Sequence, residues 1–165
     1  MAVLRNGRWR MIVWRIAKKR HALDRRGSGG LQEAGRWHQL GQPVVYGGLT
    51  VEIAALEKLA NLGHFLPADL VLVAMTLPID ARLERHNRPD RLPKGWNAIP
   101  PGDASAQFGA EFLQSGRALG MIVPSAIVPE AFNIVINPGH PMFSWVKLKI
   151  QRPFTFDQRL GRASK

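Results

Sequence analysis

The run Leu70 to Leu77 (Leu-Val-Leu-Val-Ala-Met-Thr-Leu) is apolar at all but one position. A strand without polar alternation is covered on both faces, so the run predicts a strand at the centre of a sheet with packing above and below it. Extended to Ile79 the stretch is interrupted by Thr76 and Pro78, and falls well short of the roughly 20 residues that span a bilayer. No membrane association is expected. Arg5, Arg8 and Arg10 resemble the basic start of an export signal, but Met11 to Trp14 supplies too few apolar residues before Arg15. At 165 residues the chain fits one domain with a real core. The absence of cysteine excludes a disulfide framework and thiolate metal sites, and suits the reducing cytoplasm, the expected location.

Around that strand the chain divides as follows. Met11 to Ile16 predicts a first strand, with Arg15 opposite in direction to Trp14 and Ile16, and residues 1–10 ahead of it as a loose arm. Lys18 to Gly30, basic and then glycine-rich, lacks the lysine of a phosphate loop and is expected to be a flexible connection. Pro43 to Gly47 reads as a short strand. A helix follows from an N-cap at Thr50 to a stop at Gly63. Residues 79–101 form a long proline-rich connection anchored at Leu92-Pro93 and Trp96. Ala104 to Ser115 has helical spacing and ends at Gly116. Strands are expected at Ala118 to Val123, Phe132 to Ile136 and Ser144 to Ile150, with Asn137 to Pro141 as a compact turn. The tail, residues 151–165, is basic, with one further strand around Phe154 to Phe156.

The helix at 50–63 contains a conflict. Its apolar positions Ile53, Leu56 and Ala60 define a buried stripe, yet Glu57 lies on the same side. A buried carboxylate requires a partner. Arg36 and Tyr46, on short segments just upstream, place a cation and a phenol where they can converge with it.

The net charge of +11 gives a positive field that attracts anions of several kinds. The basic residues are dispersed rather than gathered in one stripe with aromatics, so direct nucleic-acid binding is not expected. The five histidines include no close pair and no His-Glu-x-x-His pattern, so no metal is expected. Ser125 lies between Pro124 and Ala126, outside any nucleophile-elbow pattern.

Six fragments in order, Trp14-Arg15, Gly35-Arg36-Trp37, Pro43-Val44-Val45-Tyr46, Leu56-Glu57, Val123-Pro124-Ser125 and Asn137-Pro138-Gly139-His140-Pro141, resemble the RES-domain family of bacterial toxin–antitoxin toxins. The resemblance runs over residues 11–150. It implies an α+β single domain similar to ADP-ribosyltransferase toxins, with a small twisted central sheet flanked by short helices. It further implies an activity that consumes NAD and a cognate antitoxin with a helix-turn-helix DNA-binding domain. The family's naming residues fall on Arg36, Glu57 and Ser125 as catalytic candidates. Tyr46 is a fourth site member, and Arg15, Arg36, Tyr46 and Ser125 are candidates for holding NAD. One departure is visible: where the family often has an aspartate and a tryptophan after a helical glycine, this chain reads Gly109-Ala110-Glu111-Phe112.

The residue types suit that chemistry. Cleaving the nicotinamide–ribose bond passes through an oxocarbenium-like state, which a fixed carboxylate such as Glu57 stabilises. Arg36, assisted by Arg15, can bind diphosphate oxygens bidentately. Tyr46 offers a ring for nicotinamide and a hydroxyl for ribose, and Ser125 a hydroxyl for either. His38 and His140 remain open between turn and site roles. Three functions are expected in descending order: transfer of ADP-ribose to water or phosphate, which drains cellular NAD; transfer to a host protein; and a non-catalytic basic module that binds nucleic acid.

Overall fold

The computed structural model describes residues 2–5, 8–62 and 66–161. Its framework is a mixed sheet of β2 (Arg8–Lys18), β3 (Val45–Gly48), β4 (Leu70–Thr76), β5 (Leu83–Arg85), β6 (Gly120–Pro124), β7 (Phe132–Ile136) and β8 (Lys147–Pro153). Their order across the sheet is β5-β6-β7-β3-β2-β4-β8, and among the described residues only the β5–β6 pair is parallel. Among the described residues three α-helices accompany it: α1 (Ser28–Gln32), α2 (Val51–Ala60) and α3 (Asp103–Ser115). This is the α+β single domain expected, and no helix among the described residues is long and apolar enough to cross a membrane.

β4 lies between β2 and β8, as its unbroken apolar run requires. Its alternate residues feed two clusters. Val71, Val73 and Met75 join Val13, Ile122, Ile134 and Ile136, while Leu70 and Leu72 pack with Ile16 and Phe156. β6 and β7 are likewise two-sided: Met121, Val123 and Val135 face a third cluster with Trp37, Trp96, Phe112 and Leu113. A period of two thus sends one sheet into separate cores on its two faces.

Helix α3 packs onto that third cluster. Gly109 lies against the backbone of Trp37 so closely that a Cβ would collide with the Trp37 carbonyl, and Phe112 is buried beside it. The departure from the family pattern at 109–112 therefore falls at this contact. Gly116 ends the helix at φ +58°, a left-handed conformation that glycine adopts without penalty.

Several expectations need correction. In place of a loose arm over residues 1–10, β1 (Ala2–Arg5) pairs antiparallel with the first part of β2, Ala2 opposite Met11. The stretch 18–30 is not a flexible loop. A 3-10 turn at Lys19–His21, closed by the Ala22 amide on the Lys19 carbonyl, and helix α1 order it, and the Asp24 carboxylate leads into α1 by accepting from the Arg26 amide (2.9 Å) and the Ser28 amide (2.8 Å). The long connection contains β5 and a 3-10 turn, although Leu92 and Trp96 are buried in it as anchors. Phe154 to Phe156 is not a strand; Phe156 is buried and its ring meets Phe154 edge-on. Ala60, expected within the buried stripe of α2, is exposed, and Ile53 and Ala54 are the buried pair. The stop expected at Gly63 lies outside the described residues.

Candidate functional site

The site begins at the start of α2. Thr50 accepts the Ile53 amide on its side-chain oxygen at 3.3 Å, as an N-cap should, and this fixes where the helix starts and which way it turns. Ile53 and Ala54 are thereby pressed against the sheet, with Glu57 one turn on along the same flank. The carboxylate is not left to water: Glu57 Oε1 accepts from the Ser125 hydroxyl at 2.7 Å and from the Asn133 side-chain amide at 2.5 Å.

Ser125 follows β6 directly, and its amide donates to the Ala131 carbonyl at 2.8 Å. It is 0 % exposed. Besides donating to Glu57, its oxygen accepts the Ile127 and Val128 amides at 3.0 and 3.2 Å. Asn133 lies in β7, opposite Gly48 on one side and Val123 on the other, so the strand that leads into α2 is the neighbour of the strand that holds its carboxylate.

Arg36 and Trp37 are the two central residues of a tight turn in which Gly35 and His38 exchange backbone hydrogen bonds at 3.2 and 3.4 Å. The Trp37 ring is buried and stacks on Trp96. That anchor leaves the Arg36 guanidinium to donate to the carbonyls of Trp96 (2.7 Å) and Ala98 (2.9 Å). Burial lowers the Arg36 guanidinium below an arginine's ordinary value, while the nearby Glu57 charge and the Tyr46 phenol act in the opposite sense. Arginine nonetheless stays a cation, so carboxylate, cation and phenol share one electrostatic neighbourhood.

Tyr46 and His38 form a chain whose direction is fixed by chemistry. His38 Nε2 lies 2.8 Å from the Glu33 carbonyl, which can only accept, so Nε2 carries the proton. Nδ1 is then the acceptor for the Tyr46 hydroxyl at 2.7 Å, and the phenol oxygen accepts the Trp37 amide at 3.2 Å. Burial pushes the Tyr46 phenol up, only partly offset by the Trp37 amide and Arg36. Burial also holds the His38 imidazole below its ordinary value, against the hydrogen bond to Glu33.

β2 pairs with β3 at Trp14 and Gly48, and Arg15 of β2 and Tyr46 of β3 line a cavity of about 240 Å3 together with Gly30, Glu33, His38 and Val44. Arg15 Nη1 is buried and has no hydrogen-bond partner among the described residues. Burial lowers this guanidinium as well, with Asp24 opposing. Lys58, next to Glu57 in sequence, is lowered by burial and by the like charges of Arg15 and Lys18. The wall of this cavity thus carries the Arg15 cation with the acid Glu33, while Lys58 lies near enough to Arg15 for the two charges to repel. A second cavity of about 300 Å3, lined by Leu56, Leu59, Phe154 and Phe156, has no cation among the described residues of its wall.

A model of the RES domain matches residues 12–157. The chain belongs to the RES-domain family. Among its relatives this RES domain is 38% identical to the Toxin Res of Pseudomonas putida, over 91% of this chain and 99% of that one. It is 36% identical to the Prs ADP-ribosylating toxin of a Sphingobium species, over 90% and 96%. Its fold is also that of a chain in the crystal structure of the M. tuberculosis MbcT-MbcA toxin-antitoxin complex, with a TM-score of 0.63 at 15% identity, covering 93% of this chain and 88% of that one. The matched region takes in Phe154 to Phe156, which pack under α2.

Within this RES domain, Glu57 and Ser125 are in direct contact, Arg36 lies within reach of the Glu57 and Tyr46 charges without a hydrogen bond to either among the described residues, and Arg15 shares a cavity with Tyr46. His38 is part of that cavity's wall. His140 is a turn residue whose Nδ1 accepts the Met142 amide at 3.2 Å. Sequence reasoning missed Asn133, Lys58 and Asp24. The signal for Asn133 was a lone amide in the otherwise apolar strand Phe132 to Ile136.

Proposed function

We propose that the protein is the toxin of a toxin–antitoxin pair and cleaves the nicotinamide–ribose bond of NAD. The observation that carries this reading is the partly buried Glu57 carboxylate, held at one oxygen by Ser125 and Asn133 and near enough to the Arg36 cation for their charges to interact. Ribose C1′ releases nicotinamide, which leaves with the bonding electron pair and becomes neutral, and the positive charge that develops on the sugar lies against Glu57. Water or phosphate then adds at C1′ and loses a proton, giving ADP-ribose or its phosphorylated form. Arg15, Arg36 and Lys58 supply positive charge for the diphosphate, with Arg15 Nη1 the donor that has no other partner among the described residues. The reading places the protein in the cytoplasm, where its substrate is.

A second acceptor is favoured by one finding: the Sphingobium relative is named as an ADP-ribosylating toxin. In that reading ADP-ribose passes to a side chain of a host protein. Incubation of the purified chain with NAD alone separates the two. Steady release of nicotinamide without any protein acceptor supports hydrolysis or phosphorolysis, and labelling of a lysate protein with little free turnover supports transfer.

The partner in this proposal is a cognate antitoxin with a helix-turn-helix DNA-binding domain. Its contact surface is acidic and covers the site, because the toxin carries +11 and would harm its own cell if free. Expression of the chain with and without that partner tests it; equal growth in both cases rejects masking.

A further inference from the structure

Ser125 and Asn133 both donate to the same oxygen of Glu57. A carboxylate has about four acceptor sites, and an acid kept only for folding gains by using both oxygens. Here Oε2 accepts nothing among the described residues, while Oε1 takes two donors from two different elements: the segment that follows β6, and β7 itself. The two donors are fixed in their turn. Ser125 is 0 % exposed and its oxygen is already committed to the Ile127 and Val128 amides. Its hydroxyl has one proton, and Glu57 holds it. Asn133 sits in a strand paired on both sides.

Resting on the NAD-cleaving reading, we propose that Asn133 and Ser125 are positioning residues. They pin Glu57 through Oε1 so that Oε2 alone is presented to the ribose of NAD. Ser125 touches no substrate, and Asn133 is a member of the site's machinery that acts through Glu57. The physical basis is orientation. Two anchored donors restrict a long side chain to one rotamer, and misplacing a reacting group by about an ångström can cost on the order of 100-fold in rate.

The test compares Asn133→Ala, Ser125→Ala and the double variant with the unsubstituted chain, reading kcat from nicotinamide release and NAD affinity by calorimetry. Each single variant should lose roughly 10- to 100-fold in kcat while NAD affinity changes less than about threefold. Because both donors act through one oxygen, the double variant should lose little more than the worse single one. Asn133→Asp, nearly identical in shape but without a donor at neutral pH, should lose at least as much as Asn133→Ala, and serves if the alanine variant fails to fold. Unchanged kcat, a weakening of NAD binding that matches the loss in kcat, or losses that multiply in the double variant would each overturn the clamp. An unsubstituted chain that does not turn over NAD at all overturns instead the reading on which the clamp rests.

Discussion

At the residue scale the site turns on how each charge is held. Glu57→Gln should lower turnover by roughly 100- to 1,000-fold, the range seen when one group that stabilises transition-state charge is removed, with NAD binding retained by calorimetry. Arg36→Ala should weaken NAD binding strongly and also free the carbonyls of Trp96 and Ala98, which its guanidinium now joins. Thermal melts separate the two roles, since equal unfolding of both variants would mean a structural ion pair. His38 sets a pH dependence. Its folded-state value lies below the ordinary 6.5, so the unfolded chain binds more protons there and stability rises with pH. The contribution is complete above about 6.5 and is lost as pH falls toward the folded value, where a proton on Nδ1 displaces the Tyr46 hydroxyl. His38→Asn should flatten this part of a plot of Tm against pH. Of these residues, Glu57 was legible from its place on the inner flank of a helix, and Arg36 from its motif. Asn133 was not, because a strand's period shows which face a residue takes and nothing about the helix that crosses it.

At the element scale the sequence carried the strands and helices that bury apolar faces and lost those built from polar contacts. β4, β7 and α3 announce themselves through hydrophobic pattern, and their ends fall within a few residues of expectation. The approach to helix α1 depends on a single carboxylate, Asp24, accepting amides two and four residues on. Composition alone reads that stretch as glycine-rich and loose. Close approach of elements is equally hidden. Gly109→Ala places a methyl group against the Trp37 backbone, which cannot swing aside. The expected loss is about 1–3 kcal/mol, read as a fall in Tm, with turnover reduced further because the turn carrying Arg36 is displaced. Thr50→Ala, which removes only the cap of α2, should cost about 1 kcal/mol and leave kcat largely unchanged. A larger effect on kcat than on Tm would mean that the start of α2 is also part of the site.

At the scale of the whole molecule, charge governs association. With a net +11, capture of an acidic antitoxin should slow markedly between about 50 mM and 500 mM salt, while dissociation changes less; an on-rate indifferent to salt would reject the acidic surface. The order of the strands has a different consequence. Glu57 meets its two donors across 68 and 76 residues of chain. β7, which supplies the second of them, also pairs with the strand that leads into α2. On the proposed clamp, a polypeptide still leaving the ribosome has its acid but neither donor until Ser125 is made, about three-quarters of the way along, and has both only from Asn133 on. The aiming of Glu57 is thus among the last things that synthesis supplies.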